Sequence, residues 1–143
     1  MECATFSFLP CTLVVDVVEM DHQHADLFAC LERVKARCIE CNTACLDELE
    51  SLYRWLGAHC RSEERLARQI GFDFSHHAGS HGEMLRGIRR MLDEVGGGKR
   101  DVFSLLRYID YWFERHIEQE DKPLAEAVKA QRGLAGNLLV DSQ

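Results

Sequence analysis

Four stretches of the 143-residue chain repeat a core-type position every three or four residues, the spacing that keeps side chains on one face of an α-helix. The first carries His24, Leu27, Leu31, Val34 and Cys38, and the second Leu49, Leu52, Leu56, His59, Glu63, Leu66 and Ile70. The third carries His77, His81, Met84, Ile88 and Val95, with Met91 or Leu92 between, and the fourth Val102, Leu106, Ile109, Phe113 and His116. These stripes predict helices over about 21–40, 46–70, 76–95 and 102–121. Gly71 is placed to close the second helix, Ser75 to cap the third, glycines 96–98 to end it, and Asp101 to cap the fourth. A short fifth helix is expected after Pro123, which suits a first helical turn. The short connections predict an all-α fold, an antiparallel up-down four-helix bundle over about 20–122. The whole of 1–143 then forms one domain, with 1–18 as an N-terminal arm and 133–143 as a frayed tail.

The stripes are not purely apolar. Five histidines and Glu63 fall on the inner faces, and buried polar groups are costly unless something satisfies them. With helices alternating up and down, His24, His59, His77, His81 and His116 converge on one end of the bundle. His59 with Glu63, and His77 with His81, are i,i+4 pairs that share a face. His116 and Asp121 are five apart, which in a regular helix turns the second about 140° off the first. The expectation is that the helix stops here and Asp121 swings inward, because Pro123 disfavours helical geometry at Lys122. Imidazole and carboxylate without thiolate suit iron, with zinc or manganese as alternatives.

Composition narrows the function classes. Hydrophobic residues make up 46% and charged residues 29% of the chain. No apolar run approaches the roughly 20 residues that span a bilayer, since "LVVDVV" is broken by Asp16. "MECATFSFLP" lacks the basic region of a secretory signal, and a net charge of −7 argues against a nucleic-acid or anionic-membrane surface. Seven cysteines without such a signal argue against a disulfide framework and for a cytoplasmic protein. Cys38, Cys41 and Cys45 read as free thiols, since no fourth zinc donor follows them at a suitable spacing. His22 and His76 are rotated about 200° and 100° from His24 and His77, off the inner face. Glu64, Glu118 and Glu120 read as a solvated acidic face.

The segments "MDHQHADLF", "HCRSEERL", "GFDFSHHAGSH" and "HIEQED" resemble the four ligand segments of the hemerythrin family. The family pattern is H, HxxxE, HxxxH and HxxxxD, in that order on four bundle helices, and the resemblance runs from about Val14 to Leu124. It implies a centre of two non-haem iron ions with an oxo or hydroxo bridge. His77, His81 and His116 would hold one iron, His24 and His59 the other, and Glu63 and Asp121 would bridge them. The resemblance further implies reversible binding of dioxygen at the open position of the second iron, in a pocket lined by Leu27, Cys60, Trp112, Phe113 and Ile117. Cys60 stands where many family members carry phenylalanine. The function implied is oxygen transport, storage or sensing rather than catalysis. The alternatives are an oxygen- or redox-sensing domain of a signalling protein, and a di-iron enzyme that reduces peroxide or nitric oxide. The lone Glu19-x-x-His22 lies off the core stripe, unlike the paired ExxH motifs of ferritin-type oxidases.

Overall fold

The computed structural model describes residues 9–41 and 45–141, with the backbone alone over 134–141. Its helices are α1 (Val18–Cys41), α2 (Leu46–Ile70), α3 (Ser75–Gly96), α4 (Val102–His116) and α5 (Lys122–Asp141). α2 packs on α1 and α3, and α4 packs on α3 and α1, which closes a four-helix bundle. The predicted stripes line its interior. Leu27, Leu31, Leu52, Leu56, Met84, Ile88, Leu106 and Ile109 are buried among them, each stabilising the fold by roughly 1.5–3 kcal/mol relative to exposure. Among the described residues no helix is long and apolar enough to cross a membrane.

The turns follow from local chemistry. Gly71 adopts φ 69°, and its N–H bonds back to the carbonyls of Ala67 and Arg68, ending α2. α3 begins one residue earlier than expected. The acceptor is the Asp73 carboxylate, which takes hydrogen bonds from the Ser75 N–H (3.1 Å) and Oγ (2.7 Å), so Ser75 lies inside the helix. Asp101 caps α4 as its position predicts, accepting from Phe103 N–H.

The N-terminal arm is part of the core. Leu9, Leu13, Val15 and Val17 are buried. Asp21, buried on the first turns of α1, accepts the N–H groups of Val15 (2.8 Å) and Asp16 (3.0 Å). Asp16 has a φ of 63°, a left-handed conformation that these bonds hold in place. The five cysteines at 30, 38, 41, 45 and 60 are free thiols, whereas Cys11 is disulfide-bonded, in a chain whose cysteine count argued against a disulfide framework.

The largest departure from the sequence reading lies after His116. The chain does not stop being helical. Residues Ile117–Asp121 form one wider π turn, closed by a hydrogen bond from Lys122 N–H to Ile117 O, five residues back. Lys122 keeps helical angles (φ −61°, ψ −46°) despite the proline that follows. A proline ring ordinarily collides with the carbonyl four residues before it, and the widened turn upstream of Pro123 sets that carbonyl back. α5 then continues through the residues expected to form a tail. It buries Leu124, Ala125 and Val128, packs against α2, and is tied to the start of α1 by an Arg132–Glu19 ion pair.

Candidate metal centre

Seven side chains from all four bundle helices and the π turn meet at one end of the core. They are His24 from α1, His59 and Glu63 from α2, His77 and His81 from α3, His116 from α4, and Asp121 from the π turn. None is more than 5% exposed. The π turn is what brings Asp121 in. It adds one residue to the turn, so the fifth residue after His116 takes roughly the angular place of a fourth, about 40° rather than about 140° away.

The donors fall into two groups that share both carboxylates: Glu63, His77, His81, His116 and Asp121, and His24, His59, Glu63 and Asp121. Either could hold a metal ion. Each carboxylate divides its oxygens between them. Glu63 Oε1 lies 2.9 Å from His81 Nε2 and 3.3 Å from His77 Nε2, while Oε2 lies 3.3 Å from His59 Nε2 and 3.6 Å from His24 Nε2. Asp121 Oδ1 lies 3.0 Å from both His77 and His116 Nε2, and Oδ2 lies 2.9 Å from His24 Nε2.

Proximity here is not satisfaction. Both Asp121 oxygens, Glu63 Oε2 and the Nε2 atoms of His24 and His59 are buried without a directed hydrogen bond. His116 Nε2 also faces the Nε2 atoms of His77 and His81 at 3.0 Å each, and one proton can serve only one of those contacts. Lone pairs that converge on a shared space while missing one another fit a cation as their common partner.

Electrostatics agrees. Burial opposes the charge of Glu63, but the imidazoles around it, His59 foremost, hold its carboxyl well below the usual range. Burial and the charge of Glu63 oppose ionisation of Asp121, yet His116 and His24 hold it down as well. Burial alone would lower His24 and His116. The two carboxylates outweigh it and raise them to about 10 and about 9. His77 is raised by the same balance, whereas His81 is lowered by burial and by its charged neighbours His116 and His77. Without a cation the two carboxylates are therefore neutralised by protons on histidine, which a metal would displace.

Aromatic rings hold the histidines. Trp55 stacks on His59 (5.6 Å, 8°), Trp112 on His116 (4.4 Å, 17°) and Phe74 on His77 (4.3 Å, 23°). His59 Nδ1–H donates to Gln23 Oε1 at 2.6 Å, and Gln23 Nε2 donates to Ser62 Oγ at 3.0 Å. That bond fixes the His59 tautomer with its Nε2 lone pair facing inward. Trp55, Phe74 and Gln23 were not singled out in the sequence. Both tryptophans stand four residues before a donor histidine, and that i,i+4 spacing was the available signal.

Of the five residues expected to line a pocket, Leu27, Cys60, Phe113 and Ile117 are buried. Phe113 lies against both His24 (6.0 Å) and His59 (5.8 Å). Trp112 is half-buried with its ring on His116, on the three-histidine side. Burial, then the charges of Glu63 and Asp121, push the Cys60 thiol above its ordinary range. His22 and His76 are exposed and outside the cluster, the latter paired with Glu120 at 2.9 Å. No family model, no curated protein and no solved structure matches the chain.

Proposed function

We propose that the protein is a non-haem di-iron protein that binds dioxygen reversibly, for transport, storage or sensing, as its resemblance to hemerythrins implies. The observation that carries this reading is the division of each carboxylate's oxygens between a three-histidine and a two-histidine group. That arrangement suits a pair of ions bridged twice. In the three-histidine group the spacing of donors favours six-coordination over a tetrahedral zinc site. Metal–donor bonds of about 2.1 Å put neighbouring octahedral donors ~3.0 Å apart and tetrahedral ones ~3.4 Å apart. Five contacts of that group lie at 2.9–3.0 Å, with Glu63 at 3.3 Å from His77 and 3.7 Å from His116, whereas the two-histidine group ranges from 2.9 to 3.6 Å. A nitrogen- and oxygen-only donor set is consistent with iron.

Bound there, iron would supply the electrons that hold dioxygen reversibly. The chain supplies the rest. Three histidines and two carboxylates face one position, and two histidines with the same two carboxylates face the other, which leaves the second with fewer protein donors. Phe113 covers the two histidines of that second group, and Leu27 and Ile117 are fully buried. The Cys60 thiol, on the same helix as His59, keeps its proton. An apolar wall without a ready acid favours release of the bound molecule over its cleavage.

The test is metal analysis of the purified protein with absorption spectra in air and after anaerobic reduction. The reading expects about two irons per chain and one dioxygen taken up per pair, released on deoxygenation. Turnover of oxygen or peroxide with an electron donor would replace it with the enzyme reading. Full zinc occupancy from iron-replete cells would remove it.

A further inference from the structure

The seven donors are sealed from solvent, so an ion must have a way in. Two cavities reach them, and both lie in the seam between α1 and α2. The outer one, about 280 Å³, is lined by Gln23, Asp26, Trp55, His59, Ser62 and Arg65. It is several times the ~30 Å³ share of one water, roomy enough for a hydrated ion, and it ends on a donor, His59. The inner one, about 10 Å³, has space on the order of one water and ends on Glu63, with Glu19, Gln23 and Ser62 among its lining. Gln23 and Ser62 line both, and the 3.0 Å hydrogen bond between their side chains runs across the seam. By contrast, the groove beside Ser80 and Glu120 touches none of the seven donors.

We propose that the α1–α2 seam is the route by which a divalent metal ion reaches and leaves the buried centre, with the Gln23–Ser62 hydrogen bond as its latch. This rests on the donors holding a metal, but on neither iron nor dioxygen. Asp26, exposed at the outer cavity beside Arg65, offers a carboxylate to an entering cation, whereas Glu19 at the inner cavity is held by Arg132. Gln23 is half-buried and made of rotatable single bonds. When it swings out, the bond to Ser62 and the bond to His59 Nδ1 break together, and the outer cavity opens onto the donors. Ser62 neighbours Glu63 on α2, yet its Oγ bonds to Gln23 and it belongs to neither donor group. It can therefore be changed without removing a ligand.

A gate alters the rates of uptake and release together and leaves the equilibrium unchanged. Cobalt(II) is a suitable probe, because its visible absorption reports coordination without any need for oxygen chemistry. Uptake is followed in the metal-stripped full-length chain, and release from the loaded chain into excess chelator. Ser62→Leu, which fills the seam, should slow both by about tenfold or more while Kd moves by less than about twofold. Ser62→Ala, which removes the latch with little change in volume, should speed both. Ser80→Leu, an equal addition beside the groove that misses the donors, should leave both at the wild-type rates. Wild-type rates in both Ser62 variants would overturn the route, as would slowing by Ser80→Leu alone. A change in affinity with unchanged uptake in the Ser62 variants would also overturn it, since that marks a structural effect on the donors. Failure of the wild-type chain to bind cobalt would overturn the metal reading itself, and the route with it.

Discussion

Replacing Asp121 with asparagine keeps the size of the side chain and removes one buried charge. In the metal-free protein that charge lies 2.9–3.0 Å from three imidazoles. Removing one partner from a buried charge pair costs about 2–4 kcal/mol, less than full deletion because the amide still packs and accepts. At about 2–4 °C per kcal/mol for a chain of this length, the metal-free Tm should fall by roughly 5–15 °C. The pH dependence gives a second signature. His24 and His116 have folded pKa values of about 10 and about 9, above the ordinary 6.5. Their contribution is therefore complete below that ordinary value and is lost as pH rises through the folded ones. Glu63 and Asp121 are shifted the other way, so their contribution is present above the ordinary carboxylate range and lost as pH falls below it. Metal-free wild type should be most stable from about pH 4.5 to 6.5. Asp121→Asn should flatten the alkaline fall, because the imidazoles lose the partner that raised them. In the loaded protein an amide has one acceptor oxygen where the carboxylate has two, so metal affinity should drop by more than ~100-fold. Calorimetric melts of loaded and metal-free protein across pH, with metal titrations, measure all three effects. An unchanged Tm, an unchanged alkaline slope and full metal retention would refute the assignment of Asp121 to the shared position.

Three further expectations follow from neighbouring contacts. Gln23→Leu removes the acceptor of His59 Nδ1 and should weaken metal binding about 10–100-fold, with the change in Trp55 emission in a Trp112→Phe background as the measure. Asp21→Ala strands the amides of Val15 and Asp16 and should cost about 2–3 kcal/mol in denaturant melts; a loss under about 0.5 kcal/mol would show that the arm docks by its apolar residues alone. Iodoacetamide should label exposed Cys41 in the folded protein and leave Cys60 untouched, because burial and two carboxylates keep that thiol protonated; mass spectrometry distinguishes the two sites.

The four bundle helices were legible because burial on a helix face writes itself into sequence as a three-and-four spacing, and every inward histidine sat on such a stripe. Six of the seven clustered side chains were legible for the same reason, whereas Asp121, off the face of its own helix, was legible only from the order of the resembling segments. The π turn was not. A histidine and an aspartate five apart before a proline signal a break in α geometry, but a stopped helix and a widened one satisfy that signal equally. What decides is tertiary: Leu124, Ala125 and Val128 bury themselves only if the chain continues as a helix. Asp21 and Gln23 were missed because each acts through a single directed hydrogen-bonding group, which leaves no periodic trace. Ser75 reads as the cap because it stands next to the helix, although the carboxylate of Asp73 is the stronger acceptor.

The widened turn has a mechanical consequence. If Ile117–Asp121 were to tighten into α geometry, everything after it would advance by one residue, turning α5 about 100° and shifting it ~1.5 Å along its axis. Leu124, Ala125 and Val128 would then rotate off the surface of α2 and expose apolar area that is now buried. The turn is thus pinned from both ends, by the imidazoles around Asp121 on one side and by the docked face of α5 on the other. The inward pose of Asp121 is held by the hydrophobic register of a helix that supplies no donor of its own, so the carboxylate is already in position before any cation arrives.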